Sequence, residues 1–101
     1  MDNAERTVLL KQITWDYNIS PEEVDAVLKG EKGHAGHLSQ EKLFIRLLES
    51  YSWFTILQLF DMNQIQSLLT VRVVSKLRSA SLRKKYDFVR KRLQQIIPAA
   101  G

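Results

Sequence analysis

The chain of 101 residues (11.7 kDa) contains no cysteine, which excludes disulfides, thiolate zinc sites and cysteine nucleophiles. Its length suits one domain, and 45% hydrophobic with 26% charged residues describes a chain that folds rather than a disordered one. A net charge of +4 and a pI of about 9.6 keep nucleic acid among the partners to consider.

The opening MDNAERTVLL is acidic and polar, with no basic n-region or sustained apolar h-region, so no secretory signal is expected. Apolar runs such as Ile56–Leu57 and Val73–Val74 fall far short of the ~20 residues a membrane span needs. The expectation is a soluble, cytoplasmic protein with no membrane partner.

Val8, Leu9, Leu10 and Ile13 predict a short amphipathic helix over 4–14. Trp15-Asp16-Tyr17-Asn18-Ile19 then reads as a compact turn, with an Asp and an Asn able to bond nearby backbone. Ser20-Pro21-Glu22-Glu23 starts a second helix: Ser20 at the N-cap, Pro21 at the first helical position and Glu23 completing a capping box. That helix spans about residues 21–29, buries Val24, Val27 and Leu28, and stops at Gly30. The segment EKGHAGH, residues 31–37, is the one flexible loop.

Ser39 caps a third helix, with Glu41 in its first turn, and Leu43, Phe44, Leu47, Leu48 and Tyr51 form its core stripe. A break near Ser52 leaves open whether Trp53, Ile56, Leu57 and Phe60 begin a new helix or continue the third. Asp61 with Gln64, and then Thr70, cap two more short helices through Ile65–Leu69 and Val71–Leu77. The β-branched run Val71–Val74 is the one place where a strand competes, but it is short and flanked by helical patterns. Leu82, Tyr86, Val89, Leu93, Ile96 and Ile97 line one sector of a longer last helix over 80–97, closed by Pro98. The expected fold is all-α: a single domain over 1–101, a compact bundle of about five to seven short helices with a longer basic C-terminal helix. Trp15 and Trp53 are expected as core anchors.

Charge is divided unevenly. Residues 1–70 hold six Lys+Arg against ten Asp+Glu, a net −4, whereas residues 71–101 hold nine against Asp87 alone, a net +8. Such asymmetry points to an acidic partner. At 100° per residue the last helix carries Arg83, Lys84, Lys85, Arg90, Lys91 and Arg92 around its polar perimeter, with Phe88 opposite the core stripe. An aromatic within a basic face suits single-stranded nucleic acid or an acidic protein; the plainer alternative is a solvated face that complements the helix dipole. A helix-turn-helix over 56–77 is a second reading, with Arg72, Lys76 and Arg78 as its contacts, although neither turn carries a glycine.

Catalytic signals are weak. His34 and His37 make an H-x-x-H pair in the glycine-containing loop, too few ligands for a metal site, so no metal and no cofactor are expected. No G-x-S-x-G, Walker A, G-x-G-x-x-G or H-E-x-x-H motif occurs. Glu22, Glu23 and Asp25 cluster where the helix dipole explains them. The chain reads as a non-enzyme.

Trp15-Asp16, then Leu43-Phe44-Ile45-Arg46-Leu47-Leu48-Glu49, then Trp53 with Ile56 and Leu57 resembles a group of small bacterial helical proteins of uncharacterised function. Members of that group are often encoded beside nucleotidyltransferase-type abortive-infection toxins. The resemblance implies an antitoxin or accessory protein whose partner is such a toxin. It covers about residues 13–69 and leaves out EKGHAGH and the basic helix after Ser81, and the chain lacks the G-S-x-x-D-x-D signature of the toxin itself. Two functions therefore stand at this point: a protein-binding antitoxin-like partner, and a nucleic-acid-binding regulator acting through its basic C-terminal helix. Phe88 and the apolar tail Ile96-Ile97-Pro98 leave monomer and dimer equally open.

Overall fold

In the computed structural model, which describes residues 2–14, 16, 18–36 and 38–96, helix boundaries follow local side-chain chemistry. The helices are α1 (Asn3–Ile13), α2 (Pro21–Leu28), α3 (Gln40–Ser50), α4 (Trp53–Leu59), α5 (Met62–Leu68), α6 (Val71–Lys76) and α7 (Ala80–Ile96). Each of these seven starts on a side-chain oxygen that accepts a first-turn backbone N–H. Asp2, Ser20, Ser39, Asp61 and Thr70 do so for α1, α2, α3, α5 and α6. Ser52 accepts from Thr55 for α4, and Ser79 from Leu82 for α7. Such caps satisfy donors that the helix itself leaves orphaned. Asp61 and Gln64 complete the reciprocal capping box. At α2 the Ser20 half of the box is present, while the Glu23 carboxylate pairs with Lys32 at 3.2 Å. Trp15, Tyr17, His37, Ile97 and Pro98 lie outside the described residues, as do the expectations placed on them.

Its internal contacts group the chain into two compact units, Met1–Leu59 and Phe60–Gly101. In the first unit α2 packs on both α1 and α3, and α3 also meets α1 and α4. Leu10, Val24, Val27, Ala35, Leu43, Phe44, Leu47, Leu48 and Ile56 are its most deeply buried apolar side chains. Tertiary bonds between distant positions tie these helices together. The Tyr51 hydroxyl donates to the Leu9 carbonyl at 2.7 Å, and the Gln40 amide donates to the Leu28 carbonyl at the end of α2 at 3.1 Å. Arg6 donates to Asp25 through Nε and Nη2 and to the Leu59 carbonyl through Nη1. Arg46 pairs with Asp16 at 3.3 Å. Trp53 is half-buried rather than a fully enclosed anchor.

The segment expected as a flexible loop over 31–37 is partly built into this unit. His34–Ala35 (β1) and Leu38–Ser39 (β2) form an antiparallel ribbon, Ala35 facing Leu38. Both of those side chains are buried, which gives the short ribbon its apolar anchor. Gly36 turns the chain with φ +61°, a left-handed conformation that glycine adopts without penalty.

The second unit packs α5 and α6 against α7. Tyr86 and Leu93 are buried on α7, Leu82 and Val89 half-buried, and Ile96 is 63% exposed although the periodic stripe predicts it inside. Length accounts for the difference. At 1.5 Å per residue α7 runs about 26 Å, while α5 and α6 run only about 9–11 Å each. Val71–Val74, the run open to a strand reading, is helical.

Candidate functional site

Charge separates with the two units: Met1–Leu59 holds six basic and nine acidic residues, and Phe60–Gly101 holds nine basic residues against Asp61 and Asp87. The second unit therefore carries a net +7, most of it on α7. The exposed arc of that helix is set by its buried residues. Tyr86 and Leu93 face inward, which turns Lys84, Lys85, Phe88, Lys91 and Arg92 outward, and all five are exposed. Phe88 is 65% exposed. Its neighbours at i−4, i−3, i+3 and i+4 are Lys84, Lys85, Lys91 and Arg92, the four positions that lie beside it on a helix surface.

The remaining two cations of the predicted face do other work. Arg83 is half-buried, and its Nη1 donates to the carbonyls of Leu77 and Arg78 at 2.6 and 3.0 Å, bracing the three-residue turn between α6 and α7. Arg90 has only 16% of its side chain exposed; Nη2 donates to Asp87 at 3.0 Å, and its buried Nε has no hydrogen-bond partner. Asp87 also takes Lys91 at 3.1 Å. Hydrogen bonds from Lys91 and Arg90 hold the Asp87 carboxyl below its ordinary range, so it stays ionised and offsets part of the local positive charge. Among the described residues no carboxylate pairs with Lys84, Lys85 or Arg92. Lys85 Nζ lies 5.3 Å from the centroid of the Tyr86 ring, within cation–π range. Gln95, seven residues beyond Phe88, falls on the same face and accepts from Arg92 at 3.3 Å. Its i,i+7 spacing is visible in the sequence, but a neutral side chain does not mark itself as part of a charged face.

Arg72, Lys76 and Arg78 are all exposed, but they do not share one helix. Arg72 and Lys76 are four apart on α6, whereas Arg78 lies in the turn that follows. A six-residue α6 presents little more than one turn and a half. The three-residue connection Leu77–Ser79 leading into a 17-residue helix has the chain spacing of a helix-turn-helix, displaced one helix beyond the sequence-based placement. In this arrangement α7, not α6, is the long presenting helix.

The first unit presents a different surface. A groove of about 500 Å³ is lined by Ala4, Glu5, Val8, Leu9 and Gln12 of α1 with Thr55 and Gln58 of α4. Phe54 on α4 is 71% exposed, and Leu57 and Val8 are exposed as well. Phe54 belongs to none of the sequence motifs, although the buried positions Ile56 and Leu59 place it outward on α4. His34 is exposed, and no group of three or more His, Cys, Asp or Glu side chains able to hold a metal occurs among the described residues. No helix among them is long and apolar enough to cross a membrane.

The chain is an all-α protein that presents four exposed cations around one exposed aromatic ring, and no family model, curated protein or solved structure matches it.

Proposed function

We propose that this chain binds nucleic acid through the exposed face of α7, as a small regulator that works in the cytoplasm. The observation that carries the reading is the surround of Phe88: Lys84, Lys85, Lys91 and Arg92 exposed together, three of them with no carboxylate partner among the described residues. Cations that served only to stabilise the helix would be expected against the acids of their own helix, as Arg90 is against Asp87. Ammonium and guanidinium groups without a carboxylate partner supply charge-assisted hydrogen bonds to phosphate oxygens, the sequence-independent part of nucleic-acid affinity.

Counterion release sets the test. Neutralising four phosphates gives a log–log salt slope near −3.6 on a duplex and about −2.8 on a single strand, so a fourfold rise in salt weakens binding about 150-fold or about 50-fold. Fluorescence anisotropy with a labelled oligonucleotide at two salt concentrations measures that slope directly. The double substitution Lys84→Glu/Lys91→Glu should abolish most of the binding and flatten the slope. Absence of binding by the wild-type protein at low salt refutes the proposal.

A second reading, an antitoxin-like protein partner, is favoured by the exposed Phe54, Leu57 and Val8 of the first unit, which carries a net −3. It is tested by co-expression with the product of the adjacent gene. A complex that survives Lys84→Glu/Lys91→Glu but is lost with Phe54→Ser supports it; no complex at micromolar concentration refutes it.

A further inference from the structure

We infer that the ligand of the α7 face is a single strand, with Phe88 as the platform on which an unpaired base stacks; this inference rests on the nucleic-acid reading above. Phe88 is 65% exposed at the ninth position of a 17-residue helix, so no helix end or loop accounts for its exposure. It is the one aromatic among the exposed residues of α7, and its neighbours one turn away on either side are cations. The cations stand in two pairs, Lys84–Lys85 one turn before the ring and Lys91–Arg92 one turn after it. Seven residues of helix separate the pairs by about 10 Å, with the ring midway. A strand running along α7 would therefore meet positive charge on either side of a flat apolar surface.

Stacking discriminates between nucleic-acid forms. Within a duplex the faces of each base are covered by its neighbours, and only edges reach the grooves. An unpaired base offers its whole π-face, and base–aromatic stacking is indifferent to which base is offered. Phosphate contacts alone do not separate the two forms in this way. A cationic helix with a lysine or serine in place of Phe88 would hold duplex and single strand by charge, so the ring is what assigns the strand state. Arg92, one turn from Phe88, adds a guanidinium plane able to extend the stacked surface.

The experiment uses the full chain with labelled oligo-dT, oligo-U and a duplex of the same length, about 12 nucleotides. Phe88→Leu keeps an apolar side chain but removes the ring, and Phe88→Trp enlarges it. Because the position is exposed, both variants should fold, which circular dichroism checks. The expected result is tighter binding of both single strands than of duplex. Phe88→Leu should weaken single-strand binding about 5- to 160-fold with the salt slope unchanged, and Phe88→Trp should retain it. Tighter binding of oligo-dT or of oligo-U identifies DNA or RNA as the source, and either preference fits the stacking platform. Equal affinity for duplex and single strand, or Phe88→Leu binding as the wild type does, overturns the inference while the nucleic-acid reading stands. Polyglutamate competing as well as oligonucleotide also overturns it, since the face would then read charge alone. If no strand binds at low salt, the underlying reading falls and the inference with it.

Discussion

Replacing Asp25 by asparagine tests whether the first unit depends on the charge that joins α1 to α2. Asp25 Oδ1 accepts from Arg6 Nη2 at 2.8 Å and from Nε at 3.0 Å, while Oδ2 faces Lys29 Nζ at 3.0 Å. Arg6 also donates to the Leu59 carbonyl at 2.6 Å, so one guanidinium reaches α2 and the end of α4. The two side chains are 20% and 24% exposed, between a surface pair and a sealed one. Exposed pairs are worth about 0–1 kcal/mol, and breaking a fully buried pair costs about 3–5 kcal/mol. The asparagine would keep an acceptor for Arg6 but lose the charge, and its amide would face the Lys29 ammonium. An intermediate cost of about 2 kcal/mol follows, or a fall of roughly 8–16 °C in Tm for a domain of this size.

Thermal and urea unfolding followed by circular dichroism at neutral pH measure that cost. Burial pushes the Asp25 carboxyl up, but hydrogen bonds and attraction from Arg6 and Lys29 together outweigh it, and its pKa lies below the ordinary 3.8. A carboxylate with a depressed folded pKa stabilises the protein fully above its unfolded value and loses that contribution as the pH falls through the folded value. The difference between wild type and Asp25→Asn should therefore be complete above about pH 4 and shrink in stronger acid. A variant melting within about 2 °C of wild type at pH 7 would refute the reasoning. So would a penalty that persists undiminished in acid.

Gly36→Ala places a Cβ 3.2 Å from Ile19 Cδ1 at a φ of +61°, and should cost about 1–2 kcal/mol in urea unfolding. Gly33→Ala meets nothing within 4 Å and should come out near neutral in the same assay. Arg83→Met removes the donors that brace the Leu77–Arg78 turn, and should lower thermal stability by about 1–2 kcal/mol while leaving the oligonucleotide salt slope unchanged.

Helix starts were the most legible feature of the chain, because capping is settled within four residues. Ser20, Ser39, Asp61 and Thr70 stand where the sequence places them, and Pro21 and Gly30 bracket α2 as local rules require. The ribbon at 34–39 was hidden because its anchor is burial of Ala35 and Leu38, which alternation over two residues cannot announce. Ile96 misled for the converse reason: periodicity says which way a side chain faces, and only the lengths of α5 and α6 say whether anything covers it.

By itself the sequence determined an all-α chain, its capped boundaries and a basic C-terminal third, since propensity, capping and net charge are local or additive properties. Only the tertiary structure decided which helices meet and which cations stay in water. Arg6 finds Asp25 across 19 residues and Tyr51 finds Leu9 across 42, separations at which no spacing rule operates. Six cations of α7 looked alike in one dimension. Packing turned Arg83 to backbone carbonyls and Arg90 inward to Asp87, and left Lys84, Lys85, Lys91 and Arg92 around Phe88, because burying Tyr86 and Leu93 sets the rotation of the whole helix.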